Sequence, residues 1–286
     1  MSKNDLTKWL NGLKNLVNEI KKLDESNLLR SVYDNFNFLY QIFQAYVYTL
    51  LVYSIINMEM DISINAMNLN PQGLFRFKNN PRAPYSSNFS YFRISINNNN
   101  NRKDFYIVIN INVNFENNEE SPILNLDVAI IDVPPENNNI RPQNILFFIE
   151  CKSVDRASPE YVATVLGQYM LINCAPSRYG NSFPSYIFIP YYNDSFSLYV
   201  NFLIFSSINE ILPKFSPSRS PYFCFQNSLA LLAVRGSISS SARNLFRLIE
   251  RVLGESRLYY IEKVEPGQEE NFIQIIRRFL ERIFNS

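Results

Sequence analysis

Apolar side chains recur at a three-and-four spacing over residues 6 to 23, at Leu6, Trp9, Leu10, Leu13, Leu16, Val17, Ile20 and Leu23, with Lys8, Lys14, Glu19, Lys21 and Lys22 between them. That period predicts an amphipathic helix with one buried face and one solvated, basic face. Asp24, Ser26 and Asn27 can end this helix and start the next. From Leu28 to Asn57 the alternation disappears, and nearly every side chain is apolar or aromatic. At about 1.5 Å per residue, the run from Phe36 to Ile56 is long enough to span a bilayer. Asn37, Gln41, Gln44 and Thr49 interrupt it, and its tyrosines are spread along the run rather than gathered at its ends. The pattern therefore predicts a long helix buried against a sheet, its polar groups finding partners inside the fold, with a membrane-spanning helix as the alternative.

Further along, the period shortens to two. Residues 61 to 90 read as a loop-rich connection with one short strand near Leu74-Phe75-Arg76-Phe77. Tyr91 to Ile96 and Phe105 to Phe115 alternate and predict a hairpin with an Asn-rich tip. Leu126 to Asp132 and Asn144 to Ser153 are β-branched and aromatic runs, and Pro134, Pro135 and the Asn-rich loop between them predict an antiparallel pair. After Ser153 a helix starts near Pro159 and carries Tyr161, Val162, Val165, Leu166, Tyr169, Met170 and Ile172. An apolar strand follows at Tyr186 to Pro190, while Leu198 to Phe205 and Tyr222 to Val234 fit strands or buried helices. Ser239 to Ser241 can cap a helix that stops at Gly254, and a last helix starts near Glu269. The order predicts a three-layer α/β domain with a mixed sheet flanked by helices. Residues 1–27 form an N-terminal helix in this reading, 28–195 the core, and 196–286 a C-terminal helical elaboration of the same domain.

Composition narrows the chemistry. Histidine is absent, which removes His-based triads, His general bases and imidazole zinc sites. A net charge of +1 argues against a polybasic nucleic-acid coat. Cys151, Cys174 and Cys224 are odd in number and lack CxxC spacing, so no disulfide framework is expected and a reducing, intracellular setting is. The N-terminus lacks the charged-then-apolar order of an export signal.

The two central strands carry charges where apolar residues would be expected. Side chains alternate along a strand, so Glu150 and Lys152 share one face and Cys151 takes the other, in the core. Folding the two strands side by side brings Asp127 to the same end of the sheet. Two carboxylates suit Mg²⁺ or Mn²⁺, and such an ion polarises a phosphate and activates water, while a neighbouring lysine can orient or deprotonate that water. The same residues are also compatible with a plain Glu150–Lys152 salt bridge at a sheet end.

At these residues the chain resembles the PD-(D/E)XK nuclease superfamily, over roughly residues 28 to 190. The matching features are Asp127 after Asn125-Leu126, then Phe148-Ile149-Glu150-Cys151-Lys152 at the end of the next strand. The resemblance implies a restriction-endonuclease-like core. It also implies metal-dependent hydrolysis of DNA, with Asp127, Glu150 and the Cys151 backbone carbonyl as ligands of Mg²⁺ (or Mn²⁺) and Lys152 as the catalytic lysine. Gln168, in Gly167-Gln168-Tyr169, matches the glutamine that many members carry on the following helix. Ile172 stands where the RecB-like subgroup has tyrosine. The acid often supplied by the first core helix has only Asp34 and Glu59 as candidates, with Glu59 preferred. Many relatives act as homodimers. A non-catalytic DNA-binding or assembly protein that keeps the fold is the competing reading. Arg243, Arg247 and Arg251 recur along one helix face, either to meet phosphates or as a solvated face paired with Glu250 and Glu255.

Overall fold

The computed structural model describes residues 3–23, 30–31, 38–78, 83, 85, 89–98, 101–114, 123–137, 140–173, 228–253 and 258–284. Its centre is a seven-stranded mixed sheet built from β1 (Ile62–Met67), β2 (Tyr91–Asn98), β3 (Asn101–Asn114), β4 (Ile123–Ile131), β5 (Ile145–Lys152), β6 (Leu229–Val234) and β7 (Leu258–Ile261). Each strand lies beside its neighbour in sequence. The first five are antiparallel in turn, and β5–β6 and β6–β7 are parallel. Parallel neighbours need a crossover, and described residues of the two crossovers form α3 (Pro159–Asn173) and α4 (Ser240–Leu253).

Helices cover both faces. On one, α1 (Lys3–Leu23), α2 (Leu39–Ile56) and α5 (Glu269–Phe284) pack with Ile107, Val128, Phe147 and Ile149; on the other, α3 and α4 pack with Val108, Ala129, Phe148 and Leu232;. The α1 period holds as predicted: Trp9, Leu13, Leu16, Val17 and Ile20 are buried while Lys8, Lys14 and Glu19 face water.

The long apolar run forms α2, which begins at Leu39 rather than near Leu28. Arg30–Ser31 instead pair in parallel with Leu74–Phe75. By length and composition α2 could cross a membrane, but most of it is buried inside the protein. Its polar groups are satisfied there, as a buried helix requires. The Tyr46 hydroxyl donates to Glu269 Oε1 at 2.6 Å and that of Tyr48 to the Ile107 carbonyl at 3.0 Å; Thr49 and Ser54 bond back to Ala45 and Leu50.

Two strands of the central sheet lie where none was expected. β1 falls in the stretch read as loop, because an edge strand with Ser63 and Asn65 has a weak apolar signal. β7 has only four residues. Residues 196–286 thus add β6 and β7 to the central sheet as well as two helices. The expected strands at 186–190 and 198–205 lie outside the described residues. The Ser239 cap is present, its Oγ accepting from the Ala242 N–H at 3.2 Å, and α5 buries Phe272, Ile276, Leu280 and Ile283.

Candidate active site

β4 and β5 pair antiparallel, with Val128 opposite Ile149, and the next step along that register sets Asp127 against Glu150. The strands behave irregularly here. Ile107 and Ile109 of β3 pack in the α2-side core, yet Ile111 and Val113 pack in the opposite one; on β4, Val128 and Ile130 belong to the first and Leu126 to the second. Residues two apart should share a face, so both strands exchange faces at Asn110 and Asp127. The ladder skips that pair, and Asn110 takes the left-handed conformation at φ 53°. Asparagine adopts it more readily than other side chains with a Cβ.

The groups freed by this break are bonded. The Asn110 carbonyl accepts from the ammonium of Lys78, which is only 1% exposed. Asn110 Nδ2 donates to the Lys78 carbonyl at 2.6 Å and meets Gln44 Oε1 at 3.5 Å. The Tyr85 hydroxyl takes the Ile109 N–H at 2.8 Å and donates to the Ile109 carbonyl at 2.9 Å. Burial pushes the Lys78 ammonium pKa down to about 8.

Asp127 sits at the crossover point. Its Oδ1 accepts from Gln44 Nε2 of α2 at 2.6 Å, and its Oδ2 from the Cys151 backbone N–H at 2.7 Å. Glu150 Oε1 meets Lys152 Nζ at 2.5 Å, and its Oε2 accepts from Gln168 Nε2 of α3 at 3.0 Å. Gln168 is 8% exposed, and its Oε1 is buried with no hydrogen-bond partner among the described residues. Lys152 Nζ lies 5.4 Å from the Tyr161 ring centroid, a cation–π distance. The Cys151 side chain lies in the α2-side core, opposite to Glu150 and Lys152, and burial pushes its thiol pKa up, so the thiol stays protonated.

Burial and the nearby Glu150 carboxylate push the Asp127 pKa up to about 7, against the pull of the Cys151 N–H, Lys152 and Gln44. Burial works against the Lys152 charge, but Glu150 and Asp127 outweigh it and hold the ammonium pKa above its ordinary value. Lys152 is therefore a charged group here and not a free base, which favours orientation and charge stabilisation over proton abstraction.

Asp127, Glu150, Lys152 and Gln168 are thus brought into one cluster drawn from β4, β5 and α3. No known protein family, curated protein or solved structure matches this chain. Glu59 is not brought to the cluster: it is exposed beyond the C-terminal end of α2, whereas Gln44 lies near the opposite end. Asp34 lies outside the described residues. The first core helix therefore contributes a carboxamide in place of the expected acid. Its signal was a polar residue in an apolar run; Asn110, Lys78 and Tyr161 gave no comparable signal.

Arg243 is not a free phosphate contact, since both its bonds go to Glu262 at 2.8 Å. Arg247 is exposed, and the Arg251 side chain lies outside the described residues. Asp132 accepts from Asn144 at 3.0 Å and Asp155 pairs with Arg235, so both serve strand ends.

The donor chemistry fits a hard divalent cation. Asp127 and Glu150 lie close enough for the charge of one to raise the pKa of the other, and paired carboxylate oxygens of this kind are ligands for such a cation. Among the described residues no group of three or more His, Cys, Asp and Glu side chains gathers, so an ion here would use two carboxylates and complete its shell with neutral oxygens. Mg²⁺ commonly binds through one or two carboxylates and keeps several waters.

Proposed function

We propose that this chain is a divalent-metal-dependent nuclease that hydrolyses DNA phosphodiester bonds on a restriction-endonuclease-like core in an intracellular setting. The observation that carries this reading is the gathering of Asp127, Glu150 and Lys152 at one end of two paired strands, with Gln168 bonded to the Glu150 carboxylate. Asp127 and Glu150, with the Cys151 carbonyl, would hold Mg²⁺ or Mn²⁺. Such an ion supplies Lewis-acid polarisation of the phosphate and a more acidic bound water. The protein's own groups do the remainder. Gln44 and the Cys151 N–H fix the Asp127 carboxylate, and Gln168 fixes that of Glu150. Lys152, held as an ammonium over Tyr161, offers its charge to the oxygens on which negative charge grows during attack.

A second reading, an inactive DNA-binding or assembly protein with the same core, draws support from the Glu150–Lys152 ion pair and from Gln44 in place of an acid. Cleavage of single-stranded, duplex, supercoiled and branched DNA in Mg²⁺ or Mn²⁺ separates the two. The parent should cut, and Asp127→Ala and Lys152→Ala should each lose at least about a hundredfold in rate, as for loss of a charge-stabilising group. A parent that cuts none of these substrates, or variants that cut as well as it does, would overturn the nuclease reading.

A further inference from the structure

The described residues leave three large apolar side chains exposed: Phe38 (57%), Tyr40 (50%) and Ile123 (61%). Two of these are near neighbours at the start of α2, and their rings stack at 5.7 Å between centroids and 17° between planes. Tyr40 precedes Gln44 by four residues, which puts them on the same side of the helix, about 6 Å apart along its axis. Gln44 in turn holds Asp127 at 2.6 Å. The aromatic pair therefore sits at the same end of α2 as the residue that holds Asp127. The first turn of α2 carries no acidic residue, and the positive end of the helix dipole favours an anion such as a phosphate.

We propose that Phe38 and Tyr40 are a stacking platform for an unpaired base of the strand held at Asp127 and Glu150, which makes single-stranded or locally unpaired DNA the substrate class. The inference takes its ligand from the nuclease reading and adds the form of the substrate. Every base presents a π face to an aromatic side chain, but in a duplex those faces are covered by neighbouring bases. A platform of two rings thus selects for unpaired strand without reading sequence. Covering the rings also removes apolar surface from water, which an exposed stacked pair otherwise leaves wet.

The test measures binding of an oligonucleotide carrying a fluorescent adenine analogue, single-stranded or in a blunt duplex. It uses the Lys152→Ala chain in Mg²⁺, with strand integrity checked on a gel. Stacking should quench the fluorophore in the single strand. Adding Phe38→Ala and Tyr40→Ala should weaken single-strand affinity by roughly tenfold or more, with less than about a twofold change for blunt duplex, and Tyr40→Trp should retain it. Both side chains are exposed, so the variants should keep the parent's circular dichroism. Equal affinity in the platform variants, equal loss on both substrates, or no binding of DNA at all overturns the proposal. So does conversion from dimer to monomer in sedimentation with DNA binding intact, which would make the patch a contact between two copies. If the parent cuts DNA but the platform variants bind and cut alike, this inference alone fails. Platform-dependent binding by a parent that never cuts keeps the platform and removes the nuclease reading.

Discussion

Asp127 is the residue on which the candidate chemistry turns, and its environment makes it measurable without any substrate. In the unfolded chain its carboxyl gives up its proton near pH 4. In the folded chain burial and Glu150 move that event up to about 7. Between these values the native state binds more protons than the unfolded state, so this contribution favours folding at low pH and is lost as pH rises to about 7. Asp127→Asn has no such proton to lose. Its melting temperature should gain on the parent's by roughly 3–6 °C between pH 5 and pH 8. Millimolar Mg²⁺ should stabilise the parent at pH 8 and leave Asp127→Asn unmoved, because a ligand stabilises only the state that binds it. Identical pH profiles for the two proteins would sink the assignment. The sequence already contained much of this residue-level picture: Asp127 at the start of one apolar strand, and Glu150 with Lys152 on one face at the end of the next. Gln44 stood out only as a polar residue in an apolar run; its role depends on where α2 docks against β4, a contact across 83 positions.

At the scale of elements, the notable feature is the exchange of faces in β3 and β4. A period of two predicted the strands correctly, but nothing in that period announces that Ile111 and Leu126 pack on the side opposite to Ile109 and Val128. In β3 the exchange falls on one residue's backbone, Asn110 at positive φ, with Lys78 and Tyr85 bonding the peptide groups around it. Such a site discriminates between substitutions that look similar on paper. Asn110→Gly keeps the conformation and loses only the side-chain bonds, and should cost about 1–2 kcal/mol in urea denaturation. Asn110→Val adds the strain of a branched side chain at positive φ and should cost about 3 kcal/mol or more. If valine were as stable as glycine, the left-handed backbone would not be what holds the exchange in place. The strands missed from sequence, β1 and β7, share a different cause: one is a half-polar edge and the other only four residues long, so neither gives enough alternation to be seen.

Across the whole molecule, the sheet runs in sequence order from β1 to β7, and the chain spends its most apolar segment inside it, between the sheet and the α1 and α5 helices. The ambiguity of that segment in sequence was real, since buried and membrane helices share composition; only the partners of its polar groups resolve it here. Tyr46 joins α2 to α5 through Glu269, and Trp9 of α1 meets both Phe43 and Tyr46 edge-on, with ring centroids 5.5 and 5.1 Å away. Trp9 is the only tryptophan in the chain, and it is 3% exposed. The protein thus carries a single built-in fluorophore at the junction of α1 and α2. Its emission should be blue in detergent-free buffer and shift red on adding urea, in step with the loss of circular dichroism. A red shift completed at lower urea would show that α1 detaches before the sheet unfolds, and red emission in native buffer would mean that the α1–α2 junction is not formed in solution.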